Sequence, residues 1–169
     1  ARGLSTVSRA VATRSTLPVL SNIYIGTDAG RLKLAATDLE IGITCWIGAR
    51  IEEEGATTVP VRIFGDLVNQ SPPERIELVL NVRGQELEYR CAQVEASIKG
   101  IDASEFPIIP TAEGDGAIHV PANLLKSMIE QVAFAAATSE SRPILTGVLV
   151  DFQEDQLTLA AADGFRLSV

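Results

Sequence analysis

The sequence predicts an α+β fold of repeated domains, each with two helices packed on antiparallel sheets. Three observations carry this. Stretches of helical spacing alternate with stretches of two-residue alternation. The order helix-then-strands occurs more than once. The first part of the 169 residues also returns near the end at a fixed offset.

Leu4, Val7, Ala10 and Val11 recur at helical spacing within residues 4–13. Pro18 is expected to end that helical region, and residues 19–27 read as a strand. Asp28-Ala29-Gly30 signals a turn, with residues 31–37 as the returning strand. From 39 to 50, Leu39, Ile41, Ile43, Cys45 and Ile47 alternate with Glu40, Gly42, Thr44 and Trp46, which predicts one long half-buried strand. After the polar loop 52–55 come a short strand, a second helix over about 61–70, and a stop at Pro72-Pro73. Three strands are expected over 75–82, 85–92 and 94–100. Residues 101–116 combine prolines, glycines and acids and are the best linker candidate. Pro121 then opens a helix with the apolar stripe Leu125, Met128, Ile129, Val132 and Ala136. Pro143 closes that region, and strands follow over 144–152 and 156–162.

A shift of 125 residues lays the first part on the last. Val7, Ala10, Thr13, Pro18, Leu20, Leu32, Leu34, Ala35, Ala36 and Asp38 fall on Val132, Ala135, Thr138, Pro143, Leu145, Leu157, Leu159, Ala160, Ala161 and Asp163. Repeated units mean repeated domains, here 1–113 and a half-length copy over 116–169. Several such domains in a row can place their helices on one concave face.

Composition narrows the function. The chain is 46% hydrophobic, enough for a packed core, and no apolar run reaches the roughly 18 residues of a membrane span. No signal peptide is visible and both ends look cut, so the sequence reads as a fragment. Cys45 and Cys91 lie in strand-like runs and read as buried free thiols of a reducing compartment. A single histidine, His119, supports neither a metal site nor a triad. The net charge of −8 argues against nucleic acid when taken alone. Yet residues 1–27 carry Arg2, Arg9 and Arg14 and no acid, so one surface can differ in sign from the whole. Asp38, Glu40 and Asp163 could be read as a carboxylate cluster for metal-assisted hydrolysis. Asp38 and Asp163 are repeat-equivalent, however, as a structural turn after a strand would make them.

STLPVLSNIYI, LAATDLEIGI, GATTVPVRIF, ASEFP and LAAADGFRLSV, in this order and spacing, resemble the bacterial sliding clamp, the beta subunit of DNA polymerase III. The resemblance covers nearly the whole chain. It implies the DNA-clamp fold and a processivity factor that is not an enzyme and uses no cofactor or metal. In the family, three domains of this fold form a chain, and two chains close head to tail into a ring around duplex DNA. This sequence would hold domain one without its first strand and the first half of domain two, with domain three absent. The resemblance also implies a cytoplasmic, nucleoid-associated protein with no membrane partner. Arg14 matches a DNA-contacting arginine of the family, and Arg2, Lys126 and Arg142 match basic positions on helices or loops facing DNA. Asn69 stands where relatives carry an arginine. The family also has a cleft that takes a short hydrophobic peptide from the polymerase III alpha subunit, the clamp loader and repair proteins. Ala162, Gly164, Phe165, Arg166 and Leu167 match one wall of it. Leu167 would give an apolar floor and Gly164 room for a peptide backbone, while Phe165 replaces an expected polar residue. The alternative is a protein-only interaction module, and the helix faces discriminate: a DNA-encircling ring needs them basic.

Overall fold

The computed structural model describes residues 2–12, 15–110, 118–153 and 156–169, and the chain divides into two units, Ala1–Thr111 and Ala112–Val169.

In the first unit, helix α1 (Arg2–Val7) tightens into a 3-10 turn, Ser8–Ala10. Leu4, Val7 and Ala10 are buried along one face, as their spacing requires. A second 3-10 turn, Pro18–Ser21, leads into β1 (Asn22–Asp28). Two expectations are corrected here. Pro18 opens this turn instead of ending a helix, its fixed φ suiting the first position, and the strand starts three residues later than its apolar run. β1 turns through Ala29 (φ 48°) and Gly30 (φ 72°) into β2 (Arg31–Thr37), the pair of positive φ values that a two-residue hairpin demands.

The expected long strand over 39–50 is also corrected: β3 spans only Gly42–Ile47. Asp38 stops the ladder. Its Oδ1 accepts from the N–H of Glu40 (3.0 Å) and of Ile41 (2.8 Å), and Thr37 Oγ1 accepts from Leu39 N–H (3.0 Å). These local bonds outcompete strand pairing. Leu39 and Ile41 consequently face solvent.

β4 (Ala56–Pro60) precedes α2 (Val61–Gln70), and β5 (Ile76–Asn81), β6 (Glu86–Cys91) and β7 (Val94–Lys99) follow. The antiparallel sheets are β3-β2-β1-β4-β8 and β5-β6-β7, with β8 at Ile101–Asp102. One core joins both helices to both sheets: Leu4 and Val7 of α1, Phe64 of α2, Ile23, Ile25 and Leu34 of the first sheet, and Leu87, Tyr89 and Ile98 of the second. Tyr89 donates its buried hydroxyl to Ser71 Oγ (2.8 Å), which donates to Leu67 O (2.6 Å) at the end of α2. Cys91 is buried as expected, but Cys45 only half so.

The linker expected over 101–116 is corrected for its first part. Residues 101–110 belong to the first unit. Beyond a 3-10 turn capped by Asp102 (Ala103–Glu105), Phe106 packs on Tyr24 with ring centroids 5.5 Å apart. Ile109 lies over Gly42, where an added Cβ would stand 2.7 Å from its Cγ2. Tyr24 and Gly42 sit on the sheet face opposite the core, so this strap covers the sheet from behind and buries Ala35.

The second unit repeats the opening of the first. α3 (Ala122–Val132) tightens into a 3-10 turn, Ala133–Ala135; another, Pro143–Thr146, precedes β9 (Leu149–Gln153), β10 (Gln156–Ala162) and β11 (Leu167–Ser168), ordered β11-β10-β9. The strand expected from 144 is thus shortened at its start, as in the first copy. The 125-residue offset carries Ser8–Ala10 onto Ala133–Ala135, Pro18–Ser21 onto Pro143–Thr146, and β2 onto β10. It also carries the bond Ala12 N to Leu20 O (3.1 Å) onto Ala137 N to Leu145 O (2.8 Å). Val132, Ala135, Leu159 and Ala161 form a small core, with Leu125, Met128 and Ala136 against it. Ile129 was expected in that stripe but is exposed. Val150 stands 46% exposed, whereas its equivalent Ile25 is 4% exposed beneath the first unit's remaining elements.

Candidate functional sites

The first candidate site is the solvent side of the helices. Burying Leu4 and Val7 leaves Arg2, Ser5, Thr6 and, one turn on, Arg9 exposed. α2 buries Phe64 and exposes Arg62, Asp66, Asn69 and Gln70. α3 exposes Lys126, whose Nζ stands 3.8 Å from Glu130 Oε1 across one turn, both largely in solvent. Arg14 lies outside the described residues. Helix α1 with its 3-10 turn, α2 and α3 together carry four cations (Arg2, Arg9, Arg62, Lys126) and two acids (Asp66, Glu130) in a chain of net charge −8. The sheet β5-β6-β7 has the opposite balance: Glu77, Glu86, Glu88 and Glu95 against Arg90 and Lys99. Arg9 and Arg62 were absent from the expected contacts. Arg62 was detectable, since helical spacing puts it opposite Phe64, Leu67 and Val68.

The second candidate site is the turn between β10 and β11. Asp163 Oδ1 accepts from Phe165 N–H (2.9 Å) and Arg166 N–H (3.0 Å), repeating the two bonds that Asp38 Oδ1 accepts. Both carboxyls are held below the usual carboxylate range. For Asp38 the N–H of Ile41 contributes most and then that of Glu40; for Asp163 the N–H of Phe165 leads, and Arg166 adds to it. These two carboxylates thus serve their own turns. Arg166 Nε pairs with Asp163 Oδ2 at 2.9 Å, and the guanidinium lies over the Phe134 ring, 5.7 Å from its centroid.

The turn pushes its apolar members outward, leaving Phe165 96% and Leu167 70% exposed while Ala162 is half-buried. Gly164 has φ +94°, and a Cβ added there would meet Arg142 Nη2 at 2.9 Å. Arg142, expected among the DNA contacts, is thus brought together with the proposed peptide wall. An apolar groove of about 400 Å³ lies elsewhere in this unit, between the start of α3 and the β9–β10 hairpin. His119 lines it with Ile118, Val120, Leu124, Met128 and Phe152.

The family of the DNA polymerase III beta subunit matches this chain in two parts: its N-terminal domain over residues 1–110 and its central domain over residues 119–169. The chain belongs to that family. A beta sliding clamp of Synechocystis sp. is 36% identical over 174 residues, covering 99% of this chain and 44% of its own length. The DNA polymerase sliding clamp of Bacillus subtilis superposes with a TM-score of 0.88 at 31% identity, covering 98% of this chain and 45% of its own. A sliding clamp from Bartonella birtlesii, solved with griselimycin bound, gives 0.87 at 31%, with 98% and 45% covered. This member of the beta-subunit family therefore spans less than half the length of the clamps it matches. The DNA-clamp fold, α+β with antiparallel sheets, is that of its structural neighbours. Its relatives are named for clamping, and among the described residues no helix is long and apolar enough to cross a membrane.

Proposed function

We propose that the complete protein is a sliding clamp, a non-enzymatic processivity factor of the bacterial cytoplasm. It encircles duplex DNA as a head-to-tail dimer and tethers the replicative polymerase. The observation that carries this reading, beyond family membership, is the separation of charge. The helices bear an excess of cations and the β5-β6-β7 sheet an excess of acids in a strongly acidic chain. A ring must hold DNA without stopping on it. Its contacts are then few, directed to phosphate, and blind to base sequence, and retention comes from topology. Arg2, Arg9, Arg62, Lys126 and Arg14 are the candidate phosphate contacts. A pure protein-binding module would need no such excess of cations on its helices.

For the polymerase and clamp-loader peptide we assign Ala162, Gly164, Phe165, Arg166 and Leu167, and move Arg142 from the DNA face to this wall because it lies against Gly164. Phe165 and Leu167 offer apolar contact, and Arg142, beside an Arg166 already paired with Asp163, favours an acidic peptide. The griselimycin-bound relative supports a ligand site on clamps of this kind.

Charge reversal tests the DNA face in the complete protein. Replacing Arg2, Arg9 and Arg62 together by glutamate should reduce clamp-loader-dependent loading on nicked circular DNA at least tenfold, and weaken its salt dependence. Binding of an acidic Leu-Phe peptide should stay unchanged. Undiminished loading would contradict the assignment.

A further inference from the structure

The strand after the Asp163 turn, β11, pairs with β10 through Ala162↔Leu167 and Ala161↔Ser168. Two side-chain contacts from outside the sheet also hold this segment, and both end on the same place, the close of α3 and the 3-10 turn that follows it. Ser168 donates its hydroxyl to Gln131 O at 2.8 Å. Gln131 lies in the last turn of α3, where backbone carbonyls run out of helical partners. The second contact is the Arg166 guanidinium over the Phe134 ring, Phe134 being the middle residue of the 3-10 turn Ala133–Ala135.

Arg166 is therefore held from two sides. Asp163 Oδ2 takes its Nε at 2.9 Å, and the Phe134 ring lies 5.7 Å away, centroid to guanidinium carbon. A carboxylate fixes one edge of a guanidinium, and an aromatic face fixes its plane.

The repeat supplies an internal comparison. The 125-residue offset lays Gln131, Phe134, Arg166 and Ser168 on Thr6, Arg9, Ile41 and Ile43. Neither contact can form with those residues. The first copy still makes the equivalent pairs, Ala36↔Ile43 and Thr37↔Gly42, and the equivalent aspartate turn. Ile43 packs against the core where Ser168 makes its hydrogen bond. The ladder and the turn thus close without either contact. What the second unit gains from them is a fixed place for Arg166 and for the backbone that carries Leu167.

We infer that Phe134 and Ser168 are positioning residues for peptide binding at the Asp163 turn. Phe134 acts by keeping Arg166 on Asp163, which masks that carboxylate and leaves Arg142 as the cation that meets an acidic peptide. Ser168 acts by tying β11, and Leu167 with it, to the end of α3. The inference rests on reading the Asp163 turn as a peptide wall.

The test uses the complete protein and a fluorescein-labelled octapeptide with a central Leu-Phe pair flanked by aspartates, followed by anisotropy. Phe134→Leu should weaken binding about threefold, the factor that one exposed cation–π contact is worth, and Phe134→Tyr should restore it. Ser168→Ala should weaken binding about fivefold, the factor for one hydrogen bond, and Ser168→Thr should restore it. A residue with a merely structural role would act whatever stands at 166. In an Arg166→Gln background, therefore, Phe134→Leu should have no further effect. Parent-like binding by either Phe134→Leu or Ser168→Ala, or an undiminished effect of Phe134→Leu beside Arg166→Gln, would overturn the inference while Leu167→Ala and Arg142→Ala still weaken the peptide. Indifference to Leu167→Ala and Arg142→Ala would sink the wall itself, and the inference with it.

Discussion

Gly164 combines a backbone at φ +94° with an arginine resting where a side chain would begin. Gly164→Ala should lower stability by about 1–2 kcal/mol through strain, measured by urea unfolding. The Arg142 contact itself is a flexible tip that can move aside. The paired aspartates give a second expectation. Backbone N–H groups hold the Asp38 carboxyl below its unfolded value of about 4. Its stabilisation is therefore complete above that value and lost as pH falls through the lower, folded one. Asp38→Asn retains an acceptor oxygen without the charge, so its stability should decline less between pH 5 and pH 2 than that of the parent chain. Identical acid limbs in urea melts would refute this role. At this scale the sequence was a partial guide. The equivalence of Asp38 and Asp163 was readable from the repeat and implied a turn. The placing of Arg142 against Gly164 was not, since it depends on where a long side chain comes to rest.

Helix α2 and the sheet β5-β6-β7 are joined through Ser71. Its hydroxyl caps the helix end at Leu67 and accepts from the buried Tyr89 hydroxyl, whose ring also meets Phe64 edge-on at 6.2 Å. Ser71→Ala leaves that hydroxyl unpaired and should cost about 1–3 kcal/mol; Tyr89→Phe in the same background should recover part of the loss in a denaturation cycle. The strap depends on Gly42 in a similar way. Gly42→Val should displace Ile109, expose Ala35 and destabilise the first unit by about 1–3 kcal/mol, read from denaturation and from faster amide exchange in β2. Helices and hairpins were legible because their periods and turn residues agree. Apolar alternation through Leu39 and Ile41 extends the predicted strand over 39–50, whereas the Asp38 side chain claims the backbone there and β3 starts only at Gly42. The strap reads as linker in the sequence because of its prolines and acids, and its anchors, Phe106 and Ile109, are recognisable only through their partners.

The two units show the same opening motif packed to different depths, with Ile25 sealed under the first unit's later elements and the equivalent Val150 open to solvent. Amide exchange should accordingly find β1 and β2 protected far longer than β9 and β10. Repeat and fold class were legible across the whole chain because identical residues recur at one offset. The distribution of charge is legible near the N-terminus, where three arginines cluster without acids, and at Arg62, which helical spacing sets opposite Phe64, Leu67 and Val68. The acidic character of the β5-β6-β7 sheet emerges from which residues the core leaves outside. The central claim is that this charge arrangement serves a ring held on DNA by topology. The direct measurement loads the complete protein onto a nicked circular plasmid with a clamp loader, linearises the plasmid, and follows retention by gel filtration. Retention on the circle and loss after cutting is the expected result. Equal retention on circle and line would mean ordinary affinity binding and would contradict the claim.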